Sequence, residues 1–349
     1  MKIKHKIKQG IMLKALQSSA KKQPFDIAKA DHFILADQVG DNLTDSHYFS
    51  AHGNNGESFF FRHAKRSNST TEIWFCLRTS DGKTIVNTHE LYPSDNCPAS
   101  VKCTKTGDEM TIKFQGEVSY AKKGEHDVLS FDKESFEITA KATFIASMPA
   151  FDFATGLDPM FVAEALANEK WNKTFWRNLK INRQVHYEQP GVIRLEVTND
   201  GQNSMYVLPA MRDHSYGYRD WDYMNRHIWL MILFEDGEVL NLNMVDYPHM
   251  RSLMTGYRSR GGRHISVRSL TRLKELGADG LVPLKVEVEV PSKEGIIQKL
   301  IGKRDFVVDF SFADGKYHIF EGVGDFIYGD KRGRGILEFG YNSDIRRWK

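Results

Sequence analysis

The sequence predicts an all-β protein with one prominent helix, and three observations carry that reading. Short runs rich in β-branched and aromatic residues recur along most of the chain, and aromatics make up 12% of it, chiefly as 22 Phe and 13 Tyr. Five Asp-Gly pairs, Asp81-Gly82, Asp200-Gly201, Asp236-Gly237, Asp279-Gly280 and Asp314-Gly315, mostly lie between such runs, and Asp-Gly supplies the positive φ angles of tight hairpins. Repeated hairpins at short spacing give a meander, hence antiparallel sheets or barrels. Helical stretches are too few to carry the crossovers of a doubly wound parallel sheet. At 349 residues the chain is long for one core, so two packed units are expected.

Taken in order, residues 1–30 form a basic arm with a short helix expected around 11–20. Strands are expected at 32–36, 46–51, 58–63, 72–79, 84–87, 110–114 and 136–146. The last is the clearest, because Phe136, Ile138, Ala140, Ala142, Phe144 and Ala146 alternate with residues of the opposite face. The prominent helix spans 158–184, with Asp158 as N-cap, Pro159 in the first turn and Met160, Ala163, Ala167 and Trp171 along one face. Asn172 is a point where it can break, and its expected role is to brace a barrel. Ten further strands come after it, among them 192–197, 205–209, 226–234, 239–245, 252–257 and 264–270. The segment LKVEVEV at 284–290 alternates cleanly, and 306–312, 317–323 and 335–341 complete the set.

The stretch LPAMRDHSYGYRDWD at 208–222 concentrates charge among aromatics and is succeeded by strongly apolar sequence. Charged groups in such a setting are costly to bury unless they pair or react. Read as a strand, Arg212, His214, Tyr216 and Tyr218 point one way and Asp213, Ser215, Gly217 and Arg219 the other. A desolvated Asp213 is a candidate acid, His214 its acid/base partner, and Arg212 and Arg219 stabilise developing negative charge. Tyr216, Tyr218 and Trp221 shape the pocket, with Met211, Trp229 and Met231 as apolar lining. Seven of the 12 Met residues fall between Met205 and Met254, which agrees with an adaptable hydrophobic pocket. The competing structural reading is an Arg–Asp network that fixes a strand crossing. Arg251, Arg258, Arg260, Arg263, Arg268 and Arg272 either hold an anionic group or are simply exposed.

Several classes are disfavoured. A formal net charge of +3 is too small to argue for nucleic acid. Cys76, Cys97 and Cys103 are odd in number and form no CxxC pair, and no apolar run is long enough for a signal peptide or membrane span. These features favour a cytoplasmic protein without stable membrane insertion. The 13 His lack HxxxH or HxH spacing, so no metal is expected, and no GxGxxG, P-loop or GxSxG motif implies a cofactor.

RDHSYGYRDW at 212–221, followed by HIWLMILFEDGEVLNL, resembles the signature of a lipocalin-like superfamily of carotenoid 1,2-hydratase-like and AttH-like proteins. HYEQPG at 186–191, the helix DPMFVAEALANEKW, GRGILEFGYN at 333–342 and SHYFSAHGNNGESFFFR at 46–62 fit the same pattern, and the resemblance covers roughly residues 32–345. Within it the chain looks most like the N-terminal region of phosphoenolpyruvate-synthase-like (rifampicin-phosphotransferase-like) proteins. It has no counterpart of their ATP-grasp and phosphohistidine domains, so phosphoryl transfer is not expected. The resemblance implies two consecutive lipocalin-like β-barrel or sandwich domains, 31–222 including helix 158–184 and 223–349, with a cavity between or inside them. It also implies a hydrophobic small-molecule partner such as a terpenoid, polyene or polyketide.

The first expectation is therefore a cofactor-independent enzyme that cyclises, isomerises or hydrates such a molecule by acid–base or electrostatic catalysis. A non-catalytic binder of a hydrophobic ligand or pigment, and an accessory module of a phosphotransferase system, are the alternatives. A homodimer stays open as the assembly.

Overall fold

Residues 2–22, 24–35, 40, 42–181, 184–291, 296–312 and 315–348 are described by a computed structural model. It is 58% strand and 18% helix, in two sheets, one ring-like and one a half-barrel. Helices α1 (Lys2–Lys22) and α2 (Ile27–Asp31) precede strands β1 (Leu43–His52), β2 (Ser58–Arg66), β3 (Thr70–Arg78), β4 (Thr84–Asn87), β5 (Leu91–Pro93), β6 (Ala99–Lys105), β7 (Glu109–Lys123), β8 (Leu129–Ala146) and β9 (Phe151–Asp152). Three helices, α3 (Phe153–Gly156), α4 (Pro159–Asn168) and α5 (Lys173–Ile181), lead into the long hairpin β10 (Gln184–Asn199) and β11 (Gln202–Tyr218). The second sheet comprises β12 (Arg226–Phe234), β13 (Val239–Tyr247), β14 (Met250–Arg260), β15 (Arg263–Ser266), β16 (Lys285–Pro291), β17 (Ile297–Phe312), β18 (Tyr317–Tyr328) and β19 (Lys331–Asn342).

The first sheet closes on itself. Its order β11-β1-β2-β3-β4-β7-β8-β10 returns to β11, and every one of these ladders is antiparallel. Alternate residues such as Phe49, Phe61, Phe75, Phe144 and Ile193 fill the ring. The second sheet is open, in the order β15-β14-β13-β12-β19-β18-β17-β16. Its central strand β12 is buried at every position, because both of its faces are covered. The Ile228, Leu230 and Ile232 face packs with Leu273, Val282 and Val288. The Trp229, Met231 and Leu233 face meets the outside of the ring at Tyr48, Trp74 and Met211. Hydrogen bonds cross that contact as well: Tyr48 donates to Glu321 at 2.6 Å, and Arg334 donates to Ser58 at 3.0 Å.

The hairpin β10–β11 sets which side chains of its two strands stand side by side. Asp200 and Gly201 have φ of 46° and 76°, the two left-handed residues of a tight two-residue turn. Such a turn fixes the register of the whole ladder, placing Glu188 opposite Asp213 and Tyr187 opposite His214. Gly82 and Gly237 turn two further hairpins with positive φ; Asp279-Gly280 lies in a loop, and Asp314 lies outside the described residues.

Two sequence expectations need correction, and a third is sharpened. The basic arm is a 21-residue helix whose Met12 is buried against Ala163, Leu166 and Phe175, so its apolar residues bind it to α4 and α5. No strand forms at 32–35, and Ala36 lies outside the described residues. Phe33 serves docking instead and stacks on Tyr216 with centroids 3.8 Å apart, while Ile34 is exposed. The helix expected at 158–184 breaks at the point its sequence offered, since Asn172 caps α5 by accepting from the Phe175 N–H at 2.8 Å; residues 182–183 lie outside the described set.

Candidate functional site

Strand β11 presents different chemistry on its two faces, as period-two alternation requires. On the ring side, Arg212 donates from Nη1 to Asp31 at 2.8 Å and from Nε to Gln189 at 2.8 Å, all within a buried setting. Asp31 is the last residue of α2, so this ion pair fastens the N-terminal segment into the ring. Tyr187 donates to Asp31 at 2.5 Å, His214 shares hydrogen bonds with Tyr187 at 2.9 Å and Asp45 at 2.8 Å, and His47 stacks on His214 at 3.8 Å. Burial and then the Arg212 charge push His214 down to about 3, so the ring is neutral at ordinary pH. Burial works to raise Asp31, but the hydrogen bond and charge of Arg212, with hydrogen bonds from Tyr187 and the Gly107 N–H, hold it below its usual range.

The other face opens on a cavity of about 170 Å³ between the two sheets. Ser46 and Tyr48 (β1), Arg62 (β2), Trp74 (β3), Gln184 and His186 (β10) and Asp213, Ser215 and Arg219 line it from the ring side. Trp221, Met224, His227, Trp229, Asn243, Tyr247, Ile319 and Glu338 line it from the connection and the second sheet. A larger cavity, about 390 Å³, lies away from this chemistry beside Gly277, Leu284 and Arg304.

Two acid–base clusters contribute to the lining of the smaller cavity, one from each sheet. On the ring wall, His186 is stacked on Phe153 at 4.2 Å and hydrogen-bonds Asp213 through Nε2, with Glu188 3.8 Å away. Burial lowers the His186 pKa, but the Asp213 charge and hydrogen bond, aided by Glu188, raise it by more. Glu188 is fully buried and gripped from the second sheet by Asn241, at 2.9 and 2.7 Å, and by Tyr257 at 2.5 Å. Burial, opposed by His186 and reinforced by Asp213, pushes Glu188 up to about 8. On the opposite wall, His227 bonds Glu338 through Nε2 and Tyr317 through Nδ1, the latter at 2.7 Å. Burial raises the Glu338 carboxyl, yet His227 brings it below its usual range, while burial and the Glu338 charge hold the adjacent Glu321 well above.

The aromatic walls carry unsatisfied donors. The indole N–H groups of Trp74, Trp221 and Trp229 and the Nη2 of Arg62 are buried without a hydrogen-bond partner. Leaving such a group unpaired costs on the order of 1–3 kcal/mol each. All four residues contribute to the cavity lining, and Arg219 and Ser215 beside them offer N–H and O–H donors.

Of the residues singled out in the sequence, Asp213, Arg219, Trp221 and Trp229 line the cavity, and Met211 and Met231 lie in the apolar core around it. Arg219 donates to Ser215 at 2.8 Å and lies over Trp221 at 5.1 Å. Arg212, His214 and Tyr216 turn to the ring side, and Tyr218 reaches Asp220 at 3.5 Å. The arginines between Arg251 and Arg272 do not gather there: Arg258 is buried on Glu238, Arg268 pairs with Glu164, and Arg260 and Arg272 pair with Asp236 and Glu275. Sequence reading missed His186, Glu188, His227, Glu321 and Glu338 as site residues. For the first two a signal existed in HYE at 186–188, which places His186 and Glu188 on one face of a strand.

Two groups of three side chains offer ligand atoms within 4.8 Å of one another, His186–Glu188–Asp213 and Asp45–His47–His214. In each group two members sit two residues apart on one strand, as a His with a carboxylate rather than as HxH, and the third comes from β11. In both groups the imidazole already hydrogen-bonds a carboxylate, a contact that a bound cation would have to replace.

The fold has solved counterparts. A candidate AttH from Nitrosomonas europaea superposes with a TM-score of 0.53 at 11% identity, covering 91% of this chain and 98% of that one. Kievitone hydratase from Nectria haematococca gives 0.48 at 11% identity, covering 93% and 94%. The superposition on the AttH structure shows a shared architecture, and identity this low leaves the chemistry to be argued from the site. No curated protein matches the chain in sequence. The matching family model, a domain of unknown function designated DUF7064, spans residues 35–343, from the docking segment through the last strand of the second sheet, and the chain belongs to that family.

Proposed function

We propose that this protein is an acid–base enzyme that adds water to a carbon–carbon double bond of a compact, oxygen-bearing apolar molecule held between the two sheets. The observation that carries the reading is the pair of clusters, one wall with a raised His186 and the other with a lowered Glu338. An acid and a base driven apart by their surroundings can act in one catalytic step at neutral pH. The His186 imidazolium delivers its proton to one alkene carbon as the π bond breaks. The faces of Trp74, Trp221 and Trp229 stabilise the cation that forms on the other carbon. Water bonds to that carbon, and Glu338 takes the water proton. Asp213 keeps His186 charged and oriented and is a positioning residue. Similarity of fold to an AttH-type structure is compatible with this reading but does not decide it.

The cavity volume, about 170 Å³, favours a compact substrate over a long polyene, since drug-sized ligands occupy roughly 300–1,000 Å³. Arg219 and Ser215 in the cavity wall offer N–H and O–H donors, which suits a substrate that carries oxygen acceptors. The test is incorporation of isotope-labelled water into a panel of small oxygenated alkenes. Glu338→Gln and Asp213→Asn should each lower turnover by about 100-fold or more while the fold is retained. If no compound takes up label and both variants hold an apolar ligand as the wild type does, the protein is a binder, a reading to which the same aromatic walls are suited.

A further inference from the structure

Helix α1 has two apolar faces, and only one of them is used. Met12 is buried against α4 and α5, with Leu13 and Leu16 packed beside it. Ile3, Ile7 and Ile11, four residues apart and therefore one stripe, are 78%, 59% and 52% exposed. Lys4, Lys6 and Lys14 are exposed along the same helix, which contains seven lysines and no acidic residue. Scattered apolar residues on a surface need no explanation, but an isoleucine stripe edged by lysines is a pattern.

A second helix repeats the chemistry next door. On α5 the exposed residues include Trp176, together with Lys173, Arg177 and Lys180, again without an acid. Trp176 packs edge-on to Trp171 at 5.2 Å, and the Lys8 ammonium of α1 lies 5.0 Å from the Trp171 ring centroid, so the two helices are neighbours. The acid of the intervening α4, Glu164, is paired with Arg268. The two helices therefore present isoleucine, tryptophan and six exposed cations without a counter-charge of their own.

We infer that α1 and α5 form a docking face for an anionic lipid surface. Isoleucine and an interfacial tryptophan enter the headgroup boundary, while lysines and arginine remain at the phosphate level. Twenty-one residues make a helix about 30 Å long, enough to lie along the surface. No helix among the described residues is long and apolar enough to cross a membrane, so the contact is peripheral. Charge selects this occupant over a second copy of the chain, because two copies would set lysine against lysine. The inference does not depend on the catalytic reading.

The experiment is co-sedimentation of the full chain with vesicles of phosphatidylcholine alone or mixed with phosphatidylserine. Binding is expected with phosphatidylserine, absent with phosphatidylcholine, and weakened by salt. Lys4→Glu/Lys6→Glu/Lys14→Glu should reduce partitioning by about 100-fold, taking roughly fivefold per lysine. Ile7→Asp should also release the protein, and a blue shift of emission on binding should shrink in Trp176→Phe. All these positions are exposed, so melting temperatures should match the wild type and exclude misfolding. No sedimentation with phosphatidylserine at low salt overturns the inference, as does equal sedimentation with both vesicles. A lipid-free dimer that Ile7→Asp converts to monomer overturns it too, and assigns the stripe to self-association.

Discussion

Arg212 and Asp213 are consecutive residues whose side chains belong to different worlds. Arg212, with Asp31, Tyr187, Gln189, His214 and Asp45, forms a closed network inside the ring in which the guanidinium Nε, both ends of its fork and both imidazole nitrogens of His214 are partnered. Asp213, with His186 and Arg219, faces a cavity lined by three tryptophans whose buried indole N–H groups have no partner. A satisfied polar network in a barrel stabilises and specifies; an incompletely satisfied one beside a cavity is where binding energy can still be gained. A density of charge in the sequence does not tell these apart. Which atoms remain unpaired does.

The sharpest way to break this comparison is Arg212→Met, which leaves Asp31 buried without its main counter-charge. A loss of about 3–5 kcal/mol is expected in urea unfolding, with release of the N-terminal segment to protease. A loss below about 1 kcal/mol would show that the ring network is not structural.

Next in size is an acid effect from the same side. His214 in the folded chain is pushed down to about 3 from 6.5, and His63 to about 4, burial being the leading cause for both. Between pH 6.5 and those values the unfolded chain binds more protons than the folded one, so stability falls as pH falls through that window. His214→Gln should remove about one proton from the slope of unfolding free energy against pH below 6.5. An unchanged slope would mean that His214 does not titrate on unfolding.

The smallest effect belongs to the cavity side. Glu188, pushed up to about 8 from 4.5, already carries its proton near neutral pH, so Glu188→Gln should alter stability by less than about 1 kcal/mol at pH 6. Its raised pKa favours the folded chain fully below 4.5 and loses that contribution as pH rises toward 8. The variant should therefore show a flatter stability profile across this interval. A large loss at pH 6 would place Glu188 among the ionised, structural groups and blur the contrast between the two faces.

Much of the fold was legible because its signals are local. The alternation at 136–146 and 284–290 and the Asp-Gly turns lead directly to antiparallel strands. The Asp200-Gly201 turn even fixes that Glu188 faces Asp213, since a two-residue hairpin leaves no freedom in later pairings. What sequence could not supply is non-local. Pairing of β1 with β11, as in Ser46 opposite Ser215, closes the ring across most of the first half of the chain. The approach of Glu338 and His227 to His186 depends on how two separate sheets pack. The segment 32–35 misled because Phe33 stacks on Tyr216 rather than joining a strand, and α1 misled because lysines mask the apolar residues that anchor it.

The Asp31–Arg212 pair joins positions 181 residues apart. In the order of synthesis, the acid leaves the ribosome long before the strand that receives it. The segment bearing Asp31 has no counter-charge until β11 has been made and has closed against β1, so its docking marks completion of the ring. The ion pair thus acts as a latch whose two halves are separated in time as well as in sequence.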